Sequence, residues 1–559
     1  MAAGRAAPIN PRKVGLWLGL IIIVVLAATG WWRVPAGLGG RAVARFTGAS
    51  KASRGGLTVV RLRGAPSTLG FQQAALLGAE HAAYRQAVRE ARLSWPGDAQ
   101  SAVLNLIEPA LSARGGSAFA AAKPATGDAG PILAANLDSA ALSAVDGLRP
   151  IVYLVNETGK IPYAGVGYPG LERLQVGVNQ AGVAAVFIAA DREPLAEAPI
   201  TPVAAILGQA RTVDEAVAIL RERPHLGPAD LILADASGPP VLVECANGEV
   251  RVGHDQGGVV LTAGTPPAPY WALAPAGTSG LSRRQRLTEL TSIAYGSLDL
   301  TAAIGVLRDR FDTDARRLDP SGDVIASEAT VISAVVEPAG PRLWVAAGRP
   351  PASFGAFTAF SPAAPEKSGR AAQAPAQAPP AAAAQSPAPI PPAPPTDKTY
   401  AQGRSAFDEA QAGRADLIFG RYASATAHYL RALAAAQDAP RPKPGTFDPA
   451  NVAPPGLGRL QLRLADARRL QAGELAGPAA PAPGRPAAAA PVVEAYEQAL
   501  AAGLGRDDRA YARLALASVL ELSGDLKRAA PEYQAVLTEA TGLTLVEEPA
   551  KRGLTRLRQ

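Results

Sequence analysis

The chain has one cysteine, one methionine and four histidines in 559 residues. A single cysteine, Cys245, excludes an internal disulfide framework. It leaves the compartment open, because exported proteins also occur without disulfides. The histidines, His81, His225, His254 and His428, lie far apart and show no metal-ligand spacing. No metal and no cofactor is expected. Aromatic residues make up 5% and the net charge is +7, with lysines and arginines scattered. No basic stripe interleaved with aromatics exists, which argues against nucleic-acid binding. What the chain has in quantity is apolar residues, 48%, together with 51 prolines and 56 glycines. That allows a sizeable core, and the length allows three or four domains. Two tracts concentrate the proline.

Residues 14–32 are uncharged and mostly apolar, between Lys13 and Arg33. As a helix they span roughly 28 Å, close to the hydrocarbon thickness of a bilayer. Trp31 and Trp32 stand where interfacial aromatics anchor. Ala28 and Gly30 would suit a cleaved leader, but the run is long for one and no A-x-A follows. We expect a basic tail over 1–13, a transmembrane anchor over 14–32 and a spacer over 33–56. Flanking charge does not decide the orientation, since Arg5 and Arg12 precede the span and Arg41, Arg45 and Arg54 follow it. A basic start before an apolar run is the usual export signal. That favours a single-pass membrane protein with its bulk on the extracytoplasmic side.

Residues 57–360 alternate strands with helices. Thr212-Val-Asp-Glu215 is a capping box opening a helix that stops before Pro224. Leu231-Ile-Leu-Ala-Asp235 and Val241-Leu-Val-Glu-Cys245 are strands around a Ser237-Gly-Pro-Pro240 turn. Residues 176–188 form a hairpin turning at Asn179-Gln-Ala-Gly182. Residues 331–336 pair with 343–346 around Pro338-Ala-Gly-Pro341. This pattern is a layered α+β domain. Gly165-Val-Gly-Tyr-Pro-Gly170 matches a dinucleotide motif by letter, but Pro169 and the absence of a following helix–strand unit exclude that use. Cys245, in an apolar strand, reads as a small core residue.

Residues 361–398 are almost all Ala, Pro, Gln and Ser and read as an extended linker. In 399–559 the pattern Gly420-x-Tyr422-x-x-Ala425-x-x-x-Tyr429-x-x-Ala432-Leu433 recurs as Gly524-x-Leu526-x-x-Ala529-x-x-x-Tyr533-x-x-Val536-Leu537. Its later half recurs at Val492, Tyr496, Ala499 and Leu500. Gly413 and Leu516-Ala517 supply small residues where paired helices approach. These spacings are tetratricopeptide-like, interrupted by Pro-rich insertions. A short array buries little continuous core, so it needs a protein partner or the other domain. An ordinary helical bundle would show similar spacing.

Several signals then occur in one order: the strand Leu57–Gly64 and a helix with Gly70 and Leu76-Leu77-Gly78; Gly116-Ser-Ala-Phe-Ala120; Asn136-Leu137-Asp138; Gly177-Val-Asn-Gln-Ala-Gly182; Arg283 and Arg286-Leu287; and Arg342-Leu-Trp-Val-Ala-Ala-Gly348. In these the chain resembles the isopenicillin-N acyltransferase family, also called acyl-coenzyme A:6-aminopenicillanic-acid acyltransferases. These are N-terminal-nucleophile (Ntn) hydrolases. The resemblance implies a four-layer αββα sandwich over 57–360. It also implies autoproteolysis that frees an α-amino group, which then acts as base for the adjacent nucleophile, and donors aimed at the oxyanion.

Residue by residue the match is incomplete. The family's nucleophilic cysteine is Gly116 here, and its Thr-Asn pair is Thr262-Ala263. The Asn136 and Asp138 motif is kept, and Asp138 would orient the amine or nucleophile, unless it forms a strand-end Asx turn. Arg283 or Arg286 would supply the family's arginine. Ser117 could replace the nucleophile after cleavage at Gly116-Ser117, but a one-residue shift in a strand turns a side chain to the other face, away from Asp138. Ser117, Asn136, Asp138 and Arg283 are therefore the candidate catalytic residues, and two readings stay open. One is an amidohydrolase or acyltransferase using Ser117. The other is a degenerate relative that binds a small acyl or amide ligand in the old cleft.

Overall fold

In the strand Leu57–Gly64, Leu57 and Val59 enter one apolar cluster, while Val60 and Leu62 enter another. A strand that is apolar on both faces must be covered on both faces. The same holds for Ala184, Val186 and Ile188 against Ala185 and Phe187. It holds again for Leu133, Ala135 and Leu137 against Ile132 and Ala134. Two sheets packed face to face, each with helices outside, satisfy this requirement.

The computed structural model describes residues 48–94, 114–139, 149–189, 201–222, 229–246, 249–254, 257–263, 281–313, 317–318, 324–362, 388–391, 397–438, 456–476, 486–539 and 544–558. The first half of the chain contributes β1 (Ser50–Arg54), β2 (Leu57–Gly64), α1 (Pro66–Ser94), β3 (Arg114–Ala121), β4 (Ile132–Ser139), β5 (Ile151–Glu157), β6 (Tyr163–Gly167), β7 (Leu174–Asn179), β8 (Ala184–Ala189), α2 (Val203–Gln209), α3 (Val213–Arg221), β9 (Ala229–Ala234), β10 (Val241–Ala246), β11 (Glu249–His254) and β12 (Val259–Thr262). Next come α4 (Leu281–Ile293), α5 (Leu300–Leu307), the two-residue strands β13 (Phe311–Asp312) and β14 (Arg317–Leu318), β15 (Thr330–Glu337), β16 (Arg342–Ala347) and β17 (Ala356–Phe360). A nine-stranded sheet runs β1-β2-β5-β6-β7-β8-β9-β10-β11 and a six-stranded sheet runs β12-β3-β4-β15-β16-β17. Strands β2 and β5 are parallel, and the other neighbours are antiparallel.

The inner faces form one core. Helices α1, α2 and α3 cover the first sheet, and α4 and α5 cover the second. The expected hairpins β7–β8, β9–β10 and β15–β16 are present. The expected cap at Thr212 is present, its Oγ1 accepting from Glu215 N, while Glu215 accepts from Arg211 N, one residue before the cap. Two boundaries differ from the expectation. Residues 50–54, read as spacer, form β1 on the edge of the first sheet. Within the expected linker, Ile390 bridges to Phe357 on the edge strand β17. Pairing with an exposed edge supplied partners that composition could not reveal. The expected membrane span lies outside the described residues, among which no helix is long and apolar enough to cross a membrane.

The C-terminal part is all helical: α6 (Asp397–Ile418), α7 (Tyr422–Asp438), α8 (Leu457–Ala476), α9 (Pro486–Ala501), α10 (Arg506–Ser523), α11 (Leu526–Glu539) and α12 (Thr544–Leu557). Each helix packs on the next around one core. Gly413 allows α6 to approach α7, since a Cβ there would lie 3.0 Å from Tyr429 Cε1. Buried Tyr496 and Tyr511 both donate to Asp466.

Each helix layer is stapled to its sheet by an asparagine. Asn179, fully buried, donates to the carbonyls of Leu207 and Ala210 at 2.9 and 2.7 Å, closing the end of α2, and accepts from Val183 N. Asn179→Ala strands three backbone groups in a dry core. We expect a loss of about 2–4 kcal/mol, read as a lower denaturant midpoint with unchanged slope.

Candidate functional site

Strands β3 and β4 pair with Ser117 opposite Asn136, Gly115 opposite Asp138 and Gly116 opposite Leu137. Cross-strand partners share a face. Ser117, Asn136 and Asp138 therefore point the same way, toward α4 and α5, as do Phe119 and Ala121. This corrects the expectation that Ser117 turns away from Asp138. It is Gly116 that faces the inter-sheet core with Leu137. The strand's parity is set by Gly115, Asp138's own partner, and the ladder continues unbroken on both sides of the Gly116–Ser117 bond.

Gly116 adopts φ +142°, and a Cβ built there would lie 2.0 Å from the Asn136 carbonyl oxygen. No side chain fits this conformation. At this position backbone packs on backbone.

Asp138 is buried, and two side chains hold its carboxylate. Arg283 Nη1 donates to Oδ2 at 2.6 Å, and Thr330 Oγ1 donates to Oδ1 at 2.7 Å. The Asp138 and Arg283 side chains are 1% and 2% exposed. Of the two candidate arginines, Arg283 reaches the site. Arg286 forms a two-point pair with Asp309, which raises its pKa. Asn136 Nδ2 donates to Leu307 O and Ile325 O, both at 2.8 Å, pinning the end of α5 as Asn179 pins α2. Asn136 is thus committed to backbone carbonyls. Among the described residues its Oδ1 has no partner. Neither do the buried hydroxyls of Ser117 and of Ser333, which stands opposite Asn136 on β15. Ser117, Asn136 and Ser333 form a polar row across three strands beneath the helix layer. The sequence reading missed Thr330 and Ser333, because neither stands in a motif and only the β4–β15 pairing brings them near.

Thr262, across from Ala118 on β12, donates to Asp230 of β9 in the facing sheet. Asp230 shares the inward face of β9 with Ile232 and Ala234. Burial pushes its carboxyl up to about 7, and Glu244, its cross-strand neighbour, adds to the rise. An acid inside the apolar strand Ala229–Ala234 was the available signal. Cys245 packs on the helix side of the first sheet, 1% exposed, with its thiol raised to about 11 by burial and by Asp230. No group of His, Cys, Asp or Glu suited to a metal occurs among the described residues.

A cavity of about 630 Å³ lies elsewhere, lined by Lys160, Gln180, Gln209 and Arg211 among others. It adjoins the β7–β8 turn, where Gly182 approaches the Pro338 carbonyl at the end of β15 remote from Thr330. It is therefore at the opposite end of the sandwich from Asp138, and we do not assign it to this site.

The raised Asp230 carboxyl has a defined consequence. Its folded-state pKa lies above its unfolded value near 3.8, so the folded state binds the extra proton between these limits. Stability should fall as pH rises from about 4 through about 7, then level off. Asp230→Asn should flatten that slope and melt higher than the parent at pH 8, measured by thermal denaturation across pH.

Residues 126–352 match the family model described as acyl-coenzyme A:6-aminopenicillanic acid acyl-transferase. Among solved structures, penicillin V acylase from Agrobacterium tumefaciens is similar at 16% identity, with a TM-score of 0.28, covering 42% of this chain and 83% of that one. The R18L variant of conjugated bile acid hydrolase from Clostridium perfringens is similar at 13% identity, with a TM-score of 0.30, covering 44% and 92%. No curated protein matches the chain. The matched stretch, residues 126–352, carries Asp138, Arg283 and Thr330, and over it the chain is similar to the acyl-coenzyme A:6-aminopenicillanic acid acyl-transferase family.

Proposed function

We propose that this domain is a catalytically degenerate relative of acyl-transferring Ntn hydrolases, which keeps the scaffold and binds a small acyl or amide ligand in the inherited cleft. One observation carries the reading: at Gly116 the backbone excludes any side chain. Two further features support it. Asp138 is engaged by Arg283 and Thr330. Ala263, where the family has asparagine, offers no side-chain donor to an oxyanion. Around this domain we propose a membrane anchor over residues 14–32 and a protein-binding, tetratricopeptide-like array over residues 399–559. The length of the apolar run supports the first. The repeated Gly-x-Tyr/Leu-x-x-Ala-x-x-x-Tyr spacing, with its buried tyrosines, supports the second.

A second reading has one specific observation in its favour. Ser117 shares the face of Asn136 and Asp138, and its hydroxyl is buried without a partner among the described residues. Cleavage before Ser117 would give it an α-amino group as base. Intact-mass measurement of the purified chain separates the two. We expect one uncleaved species with no turnover of amide or thioester substrates, and no change in Ser117→Ala. Fragments beginning at Ser117 that vanish in that variant would establish the enzyme instead.

Restoring the sulfur is a sharper test. Gly116→Cys must place a Cβ against Asn136 O at a φ that side chains avoid, so we expect a loss of about 3 kcal/mol or more and no processing. A stable Gly116→Cys chain that cleaves itself before residue 116 would show that the site lacks only that one side chain for processing.

A further inference from the structure

The turn between residues 325 and 330 is held from both sides. On the domain side, Asn136 Nδ2 donates to Ile325 O at 2.8 Å, Ser139 N to Ala329 O at 2.9 Å, and Thr330 Oγ1 to Asp138 at 2.7 Å. Within the turn, Ser327 N donates to Thr330 Oγ1 and Thr330 N to Ser327 O, so the hydroxyl aimed at Asp138 is itself oriented by the turn. On the other side stands Glu328, fully buried. Its carboxylate is gripped by helices of the C-terminal array. Arg463 of α8 reaches both oxygens, Nη1 to Oε2 at 3.2 Å and Nη2 to Oε1 at 2.5 Å, and Arg414 of α6 lies 3.6 Å from Oε1. Both arginine side chains are 2% exposed. Two flanking contacts set the docking angle. Arg459 joins Asp312 of the first domain to Asp508 of α10, at 3.1 and 2.8 Å, and Gln411 donates to Pro350 O at 2.8 Å.

We propose that the helical array is a clamp in cis on the site. Its surface formed by Arg414 and Arg463 takes the Glu328 turn of the same chain as its partner, and through that turn it positions Thr330 on Asp138. Arg414, Arg463 and Glu328 are positioning residues, not catalytic ones. The argument is independent of whether the cleft binds or catalyses, because it concerns only what holds Asp138 and Thr330 together. The buried carboxylate explains why the docking is specific. A glutamate out of water needs charged donors with matching geometry, and guanidinium forks supply them. Removing one side leaves charge stranded in a dry interface. A corollary is that a protein partner of the array cannot use the Arg414–Arg463 surface without releasing the turn. Recruitment elsewhere on the array leaves the site set, and recruitment there unsets it.

The test is hydrogen exchange resolved by mass spectrometry on the full chain. In Arg414→Gln/Arg463→Gln we expect the amides of Ser139 and Thr330 to exchange at least tenfold faster, while those of α10 and α11 keep their protection. Arg513→Gln removes an ion pair of similar make to Glu532 and Glu539 inside the array, and should leave the Ser139 and Thr330 amides within twofold of the parent. Glu328→Gln, which keeps size and loses charge, should open the same two amides without touching the array. Unchanged exchange at Ser139 and Thr330 in both the double arginine variant and Glu328→Gln overturns the proposal. So does equal opening by Arg513→Gln. Loss of protection throughout the chain in both interface variants overturns it as well, since the contact would then hold the whole fold rather than one turn.

Discussion

A carboxylate enclosed between a sheet and a helix layer must be neutralised, and Asp138 is neutralised by Arg283. Much of the local architecture follows from that pair. Helix α4 carries few apolar residues, and among its described side chains Leu287 is the one fully buried hydrophobic. Two arginines compensate: Arg283 reaches β4, and Arg286 reaches Asp309 beside the end of α5. The Arg283–Asp138 pair ties the helix to its sheet beside the apolar packing of Leu287 and Leu290. Such a contact is geometrically exacting, because a displaced guanidinium leaves two uncompensated charges rather than a slightly looser apolar surface. Thr330 fills the second acceptor position on Asp138, so the same carboxylate also fixes the start of β15.

The fold was legible where local pattern decides it. The β7–β8, β9–β10 and β15–β16 hairpins rest on apolar runs and Gly/Pro turns, and the cap at Thr212 rests on four adjacent residues. The layering is encoded in strands that are apolar on both faces, such as Leu57–Gly64, although alternation does not say which cover is sheet and which is helix. What stayed hidden depends on distant pairing. Residues 50–54 are polar and read as spacer, yet a free sheet edge recruits them. Arg283 and Asp138 are 145 positions apart, and although the resemblance named both as candidates, nothing near either shows that they pair. Asp230 stands in an apolar strand, and its meeting with Thr262 needs both sheets in place.

Ser117 shows how a correct rule can be applied to the wrong reference. A one-residue shift does reverse a strand side chain, but the face of Asp138 is defined by its partner Gly115, not by Gly116. Reckoned from Gly115, Ser117 is two residues along and returns to the same side. Only the β3–β4 register contains that information. The resemblance supplied the aligned positions, and the ladder supplied their orientation.

The glycine at position 116 also bears on how such a site can change. A glycine with ordinary strand dihedrals would leave a small void that a restored side chain could refill. Here the backbone has taken a positive φ and closed onto the Asn136 carbonyl, while Asn136 is itself bonded to the end of α5 and to the Glu328 turn. Reopening the position therefore means moving β3 relative to β4, and β4 is coupled through Asp138, Ser139 and Thr330 to the array's arginines. In the reading proposed above, the strand that would carry the nucleophile is instead held along its length by the ladder to β4. Rigidity of that kind suits a surface that recognises a ligand, because a preorganised cleft loses little freedom when it is filled. It does not suit a group that must be freed by cutting the strand it sits in.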